Sequence, residues 1–265
     1  MDIDHQQALT WLTTGGTPRF EPPLFQPRYT PMQAQDWQLQ LVPLIIVRGY
    51  WSDTSVATDM AVLTRTRPDG GHDSWMSMSP MELESQEIGC LEARGHTVVM
   101  GLGLGWAAAA AAMNPAVTAV TVVEMDRAVL DLHQRLCLFE QLPAAARDKL
   151  RVVEGDALDW TPDQPVDFLM PDIWLPLYSG PGRVEEVRRM QANTGAPLIY
   201  FWGQELVLAA LARDRLGVPV EALDADTLRR AAALTGLPLA GLDRPDYADK
   251  LRIAALRRLP PAQTA

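Results

Sequence analysis

The chain reads as an α/β protein: a mostly parallel sheet with helices on both faces, preceded by a small β-rich N-terminal region and followed by a helical C-terminal tail. Three observations predict this. From about residue 97 short apolar runs alternate with helical patterns, as in a parallel sheet covered on both sides. Before that, two β-type runs meet at Pro68-Asp69-Gly70-Gly71, a turn sequence suited to a hairpin. After residue 223 the alternation stops and only helical patterns follow. No internal repeat is present.

Residues 1–36 are expected to form an irregular arm or lid. A short helical pattern around Ala8, Leu9, Trp11 and Leu12 passes through Gly15-Gly16 into five prolines between Pro18 and Pro31. Residues 37–78 form the β-hairpin region, with strand-like runs over 38–51 and 59–67 and, past the turn, 72–78. Ser79-Pro80-Met81-Glu82 then starts a helix. The serine can accept from first-turn amides, the proline fits the first helical position, and the glutamate sits where a capping box needs it. This helix should reach about residue 93, with Gly95 as its stop.

The main domain is assigned to 79–223. Strands are expected at 97–100, 119–123, 150–153, 166–170 and 198–202, and helices at 106–113, 126–141, 183–193 and 204–216. The tail, 224–265, has helical patterns at 227–234 and 247–259 around a turn-rich stretch with Pro238, Gly241 and Pro245.

Charge narrows the partners. With 23 Lys+Arg against 33 Asp+Glu the net charge is −10, and an acidic surface repels a phosphate backbone and anionic lipid alike. A small-molecule substrate is expected, with neither nucleic acid nor membrane as partner. The composition, 48% hydrophobic and 21% charged, is that of a globular protein. Cys90 and Cys137 form no Cys-x-x-Cys pair, so neither a disulfide framework nor a thiol-rich metal site is expected. His5, His72, His96 and His133 lack metal-ligand spacing, and no catalytic metal is expected. Met1-Asp2-Ile3-Asp4-His5 is acidic and polar, unlike a secretory signal. The uncharged run 97–123 is broken by Gly101, Gly103, Gly105, Asn114 and Pro115, which argues against a membrane span. A soluble cytoplasmic protein follows as the expectation.

The segment Val98-Val99-Met100-Gly101-Leu102-Gly103-Leu104-Gly105-Trp106 runs from a buried strand through a glycine turn into a helix. Such a turn lets the backbone approach a ligand closely and offers free helix-start amides, although it also serves packing. Three acids stand at or just past the ends of successive strands: Glu124, Asp156 in Gly155-Asp156-Ala157, and Asp172. Singly each is a solvated strand-end carboxylate. In register with the glycine turn they mark the carboxyl edge where open α/β sheets bind ligands.

On these residues, 97 to about 203, about 40% of the chain, resembles a class I S-adenosylmethionine-dependent methyltransferase core. The resemblance implies a Rossmann-like domain with S-adenosyl-L-methionine as cofactor. Gly101, Gly103 and Gly105 would face its methionyl part, and Glu124 would accept both ribose hydroxyls. Asp156 would bond the adenine amino group, with Met125 and Ala157 flanking the ring. The spacing departs from the dinucleotide fingerprint, because Trp106 occupies the third glycine position and Gly105 falls one residue early. Asp172 is the candidate catalytic residue, to orient or deprotonate an acceptor amine or hydroxyl, or else to contact the cofactor's ammonium group. Trp174 and Tyr178 are expected to wall the acceptor pocket, unless they are core.

The implied activity is methyl transfer to a small molecule, an amine or amino-acid-like acceptor. The fourth-strand loop Pro171-Asp172-Ile173-Trp174-Leu175-Pro176 lacks the Asn/Asp-Pro-Pro-aromatic motif of enzymes acting on exocyclic amines of bases or glutamine. That loop, the β-rich N-terminal region and Ser85-Gln86-Glu87 look like those of spermidine synthases. Ser85 replaces the family's tyrosine, however, and Leu175 stands where the second amine-holding acid would be. Aminopropyl transfer is therefore the alternative, and a non-catalytic binding protein on the same fold is a third. The terminal hairpin of a methyltransferase core is not legible after residue 202. The tail or a second subunit, as in a homodimer, would then have to cover that sheet edge.

Overall fold

A computed structural model describes residues 5–22, 24–180 and 182–261. Met1 to Asp4, Pro23 of the arm and Pro181 of the loop after Asp172 lie outside the described residues. The chain opens with α1 (His5–Thr14), which buries no residue. Four antiparallel strands follow in the order β1-β2-β3-β4: β1 (Met32–Ala34), β2 (Trp37–Arg48), β3 (Thr54–Thr66) and β4 (His72–Ser77). The expected hairpin is thus the β3–β4 half of a larger sheet. The long β2–β3 pairing, Trp37 opposite Arg65 through Arg48 opposite Thr54, is closed by a turn at 49–53 that carries no hairpin dipeptide.

The remainder is α2 (Pro80–Glu92), β5 (Gly95–Met100), α3 (Trp106–Met113), β6 (Val117–Glu124), α4 (Arg127–Leu136), α5 (Ala144–Arg147), β7 (Leu150–Glu154), β8 (Phe168–Pro171), α6 (Gly182–Thr194), α7 (Gln204–Leu216), α8 (Ala225–Thr235) and α9 (Tyr247–Arg258). Strands β7-β6-β5-β8 form a parallel sheet in that order. The order reverses between β5, which leads to β6 on one side, and β8 on the other, so their carboxyl ends open a crevice. Alternation of short β-branched runs with helices produces this architecture. Along α3 the stretch Ala107 to Ala112 is wholly buried, its small side chains letting the helix lie close against the sheet.

The helix start at Ser79 forms as its residues dictate, with Ser79 Oγ accepting from Glu82 N at 3.3 Å. The reciprocal half of the capping box does not form. Glu82 Oε2 turns instead to Ser77, accepting from its N at 3.2 Å and its hydroxyl at 3.1 Å.

The fifth strand expected at 198–202 is a correction. Only a single parallel bridge, Leu169 to Ile199, joins it to β8, and a second, Ile199 to Leu239, joins it to the tail. Tyr200 N and Trp202 N donate to Leu169 O and Pro171 O, both at 3.0 Å, while Ile199 N donates to Pro238 O at 2.9 Å. Pro171 and Pro238 have no N–H to return, which stops the ladder after one rung on each side. The edge is covered by the chain's own tail segment, Ala240 N donating to Ile199 O at 2.7 Å.

The arm is tied down rather than loose. Phe20 N donates to Val56 O and Val56 N to Pro18 O, both at 2.8 Å. The fully buried Trp106 donates its indole N–H to Phe25 O at 2.7 Å, and the Gln141 amide both accepts from Arg28 N and donates to Arg28 O at 2.8 Å. Gln141→Ala should lower the unfolding free energy by about 1–2 kcal/mol, the worth of two such bonds. Limited proteolysis should then cut first within 24–31, and an unchanged cleavage rate would show the arm to be held elsewhere.

Candidate active site

The carboxyl ends of β5, β6, β7 and β8 meet the inner face of the antiparallel sheet around a cavity of about 540 Å³. Its floor is the glycine turn. Gly101 adopts φ +99°, and a Cβ there would lie 2.1 Å from the backbone oxygen of Asp172, so only glycine allows the two strand ends to pass this closely. Gly103 lines the same floor, beneath the Met76 sulfur that accepts Leu104 N at 3.1 Å. Gly105 does not line the cavity. It starts α3 in the left-handed region, where a Cβ would strike His133 and Leu138 at 2.9 Å, and it serves helix packing.

Glu124, at the end of β6, accepts Leu102 N at Oε2 (3.0 Å) and Asp126 N at Oε1 (2.8 Å). The carboxylate is oriented by its own turn and keeps a lone pair on each oxygen for a ligand. Met125, 65% exposed, forms the rim beside it. Asp126 caps α4 and accepts the Trp37 indole N–H at 2.9 Å, which joins the antiparallel sheet to the rim. Asp156 and the buried Ala157 line the wall after β7. Asp156 Oδ1 accepts Leu158 N at 2.9 Å, and among the described residues Oδ2 has no partner.

Asp172 lies at the end of β8, where Asp172 N donates to Met100 O at 2.8 Å. Its Oδ2 accepts from the Gln86 amide at 2.9 Å. Burial pushes its carboxyl up to about 7, with the Arg183 charge and the Gln86 bond acting the other way. Glu82, one helical turn before Gln86 on α2, lines the same cavity. Burial and the nearby Asp172 carboxylate push Glu82 up to about 8.

Trp174 walls the cavity, its indole donating to Glu186, and Arg183 stacks on its ring at 4.5 Å. The buried Arg183 holds this loop through the carbonyls of Pro176 and Leu177 and accepts no role in the cavity itself. Tyr178 is not among the lining residues; it lies by Arg213 and Asp214 of α7. Ser85 receives the Trp202 indole N–H at 2.8 Å inside the core, and Leu175 is exposed.

The structure therefore brings Gly101, Gly103, Glu124, Met125, Asp156, Ala157, Asp172 and Trp174 around one cavity and leaves Gly105 and Tyr178 outside it. Sequence reasoning missed the wall supplied by the N-terminal region: Trp37, Arg65, Trp75, Met76 and Glu82. The signal for Glu82 was present but was absorbed by its place in a capping box. For the tryptophans, only the register of β2 to β4 tells which strand face meets the crevice. Among the described residues no group of three or more His, Cys, Asp or Glu is placed to hold a metal ion, and no helix is long and apolar enough to cross a membrane.

No family model and no curated protein matches the chain. Among solved structures it is similar to the methyltransferase domain of bacterial CtHen1, with 12% identity over 40% of this chain and 55% of that one, at a TM-score of 0.33. A putative RNA methyltransferase, PH1948 from Pyrococcus horikoshii, shows 17% identity over 44% of this chain and 54% of that one, at a TM-score of 0.32. The glycopeptide N-methyltransferase MtfA complexed with sinefungin shows 19% identity over 42% of each chain, at a TM-score of 0.31. The chain spans about half the length of these structures.

Proposed function

We propose that the protein is an S-adenosylmethionine-dependent methyltransferase acting on a small-molecule acceptor. The observation that carries this is the convergence of an oriented strand-end glutamate, Glu124, with the Gly101–Gly103 floor and Asp156 around a single crevice at the switch point of a parallel sheet. The cradle suits the cofactor. Gly101 lines the floor where the strand ends pass too closely for a side chain, both Glu124 oxygens keep a lone pair for ribose hydroxyls, and Asp156 Oδ2 has no partner among the described residues. Met125 and Ala157 line the same cavity and would sandwich the adenine.

When bound, the cofactor supplies a methyl group already activated on a sulfonium. The protein's task is alignment, which can supply most of the acceleration. Asp172 is placed to orient the acceptor and take its proton. Gln86 fixes one of its oxygens, and its titration near neutrality puts it in the range a general base requires. Trp174, braced by Arg183 and Glu186, would wall the acceptor.

Calorimetric titration with S-adenosylmethionine, S-adenosylhomocysteine, decarboxylated S-adenosylmethionine and NAD tests the assignment. The first two should bind, and Glu124→Gln, which removes one acceptor, should weaken them about 10- to 100-fold, as loss of a hydrogen bond to a charged group does. Preference for the decarboxylated form would favour aminopropyl transfer, NAD alone would overturn the cofactor assignment, and binding without turnover over a broad acceptor panel would leave a binding protein. Asp172→Asn should remove turnover while keeping homocysteine-form binding.

A further inference from the structure

The acceptor end of the cavity carries two acids, and among the described residues no basic side chain forms an ion pair with either; the Arg183 charge reaches Asp172 only at a distance. Glu82 is 8% exposed; its Oε2 is engaged by Ser77, while its Oε1 meets no hydrogen-bond donor among the described residues, and the side chain lines the cavity. Asp172 gives only Oδ2 to Gln86, on the same face of α2 as Glu82. The hydrogen bonds of the nearby basic groups go elsewhere. Arg183 donates to the carbonyls of Pro176, Leu177 and Trp202. Arg65 is paired with Asp36 at 2.8 Å and Arg127 with Glu154 at 2.7 Å, both toward the open rim. The remaining charged groups of the cavity, Glu124, Asp126 and Asp156, are acids too. The indole rings of Trp37, Trp75 and Trp174 line the same cavity, with Trp37 and Trp75 packed edge to face at 5.3 Å; Arg65 lies over the Trp37 ring at 5.2 Å and Arg183 over the Trp174 ring at 4.5 Å, so among the described residues Trp75 is the indole that carries no protein cation.

Buried carboxylates without an ion-pair partner are costly, and aromatic faces attract cations. We propose that this end of the cavity binds an organic ammonium group, held between the Glu82 and Asp172 carboxylates with its hydrocarbon portion against the tryptophans. An inorganic cation would leave the Trp75 indole unused, and an anion at this end would face the two carboxyls. As an account of the acceptor the proposal rests on the methyl-transfer reading and narrows it to amines entering as cations. As a binding site it stands on the apoprotein. It also supplies, from α2, the second acid that the loop lacks at Leu175.

Binding of a cation makes both carboxyls ionise, so at neutral pH the protein must release a proton into the buffer as the ammonium enters. The test is calorimetry of the full-length apoprotein at pH 7.5 in two buffers of different ionisation enthalpy, with 2-phenylethylammonium, 2-phenylethanol and 3-phenylpropionate as probes. The ammonium should bind at least about tenfold more tightly than the alcohol, the carboxylate should not bind, and the ammonium alone should show proton release. Glu82→Gln keeps an acceptor for Ser77; it should weaken ammonium binding at least about tenfold, abolish most of the proton release, and leave the alcohol unchanged. Asp172→Asn should act in the same direction. Equal affinity for ammonium and alcohol, no ammonium binding, or undiminished proton release in Glu82→Gln would each overturn the proposal. S-adenosylhomocysteine titrated in parallel separates the two readings: homocysteine-form binding without ammonium selectivity sinks only this one, and ammonium selectivity without cofactor binding sinks only the methyl-transfer assignment.

Discussion

Glu205→Ala should lower the unfolding free energy by about 3–5 kcal/mol, combining hydroxyls stranded at about 1–3 kcal/mol each with the volume lost. Glu205 sits at the first turn of α7 with no solvent exposure. It receives the Tyr200 hydroxyl at 2.8 Å and the Tyr50 hydroxyl at 3.4 Å, beside the equally buried Tyr247, whose hydroxyl accepts from Gln204 at 2.8 Å. Tyr50 belongs to the turn after β2, Tyr200 to the segment bonded to β8 and Tyr247 to α9, so one carboxyl ties together the N-terminal sheet, the edge of the parallel sheet and the tail. Its own pKa is pushed up to about 7, mainly by burial, with the tyrosine hydrogen bonds opposing. The pH dependence follows. An acid with a raised folded-state pKa contributes stability that is complete below its ordinary value of 4.5 and is lost as pH rises through about 7. Glu82 and Asp172, raised to about 8 and about 7, add the same sign. Urea denaturation should therefore show the wild type less stable at pH 9 than at pH 5. Glu205→Gln should be less destabilised than the alanine variant and flatten the slope between those limits. A wild-type stability that rose across that range would contradict a buried, raised carboxyl network.

Gly101→Ala should abolish cofactor binding and destabilise the fold by about 3 kcal/mol or more. The left-handed backbone at φ +99° alone costs a non-glycine residue about 1–2 kcal/mol. To that is added a Cβ at 2.1 Å from the Asp172 carbonyl, a backbone atom that cannot rotate away. The strand ends must separate, breaking the Asp172 N to Met100 O bond and moving Asp172 from Gln86. Gly217→Ala, at φ +69° with nothing within 4 Å, isolates the conformational part and should cost about 1 kcal/mol without affecting binding. Thermal melts and calorimetry of the two variants side by side check this. Similar losses in both would mean that the close approach at Gly101 matters little.

Much of the frame was legible because its causes are local. The helices at 106–113 and 204–216 appear with those bounds, and the helix from Ser79 starts where its cap requires. The strands at β5, β6 and β7 differ from expectation by one or two residues at an end, since apolar runs with glycine or acidic punctuation specify a buried strand by themselves. The helix expected over 126–141 breaks after Leu136, where Cys137 takes the left-handed conformation and a short 3-10 turn follows at Phe139–Gln141. Nothing in an apolar period announces that. Neither did the run at 198–202 announce that prolines on both neighbouring segments would leave it one bridge on each side.

The chain's own sequence determined the parallel sheet, its helix starts, the glycine turn and the three strand-end acids, because each depends on residues a few positions apart. Tertiary structure alone decided what faces that edge. Folding the antiparallel sheet over it turned Trp37, Trp75 and Met76 into walls, brought Glu82 from a helix cap to the side of Asp172, and drew Gly105 and Tyr178 away. Those outcomes rest on contacts between segments tens of residues apart. Sequence periodicity reports which face of a strand is apolar, but not which distant face it will meet.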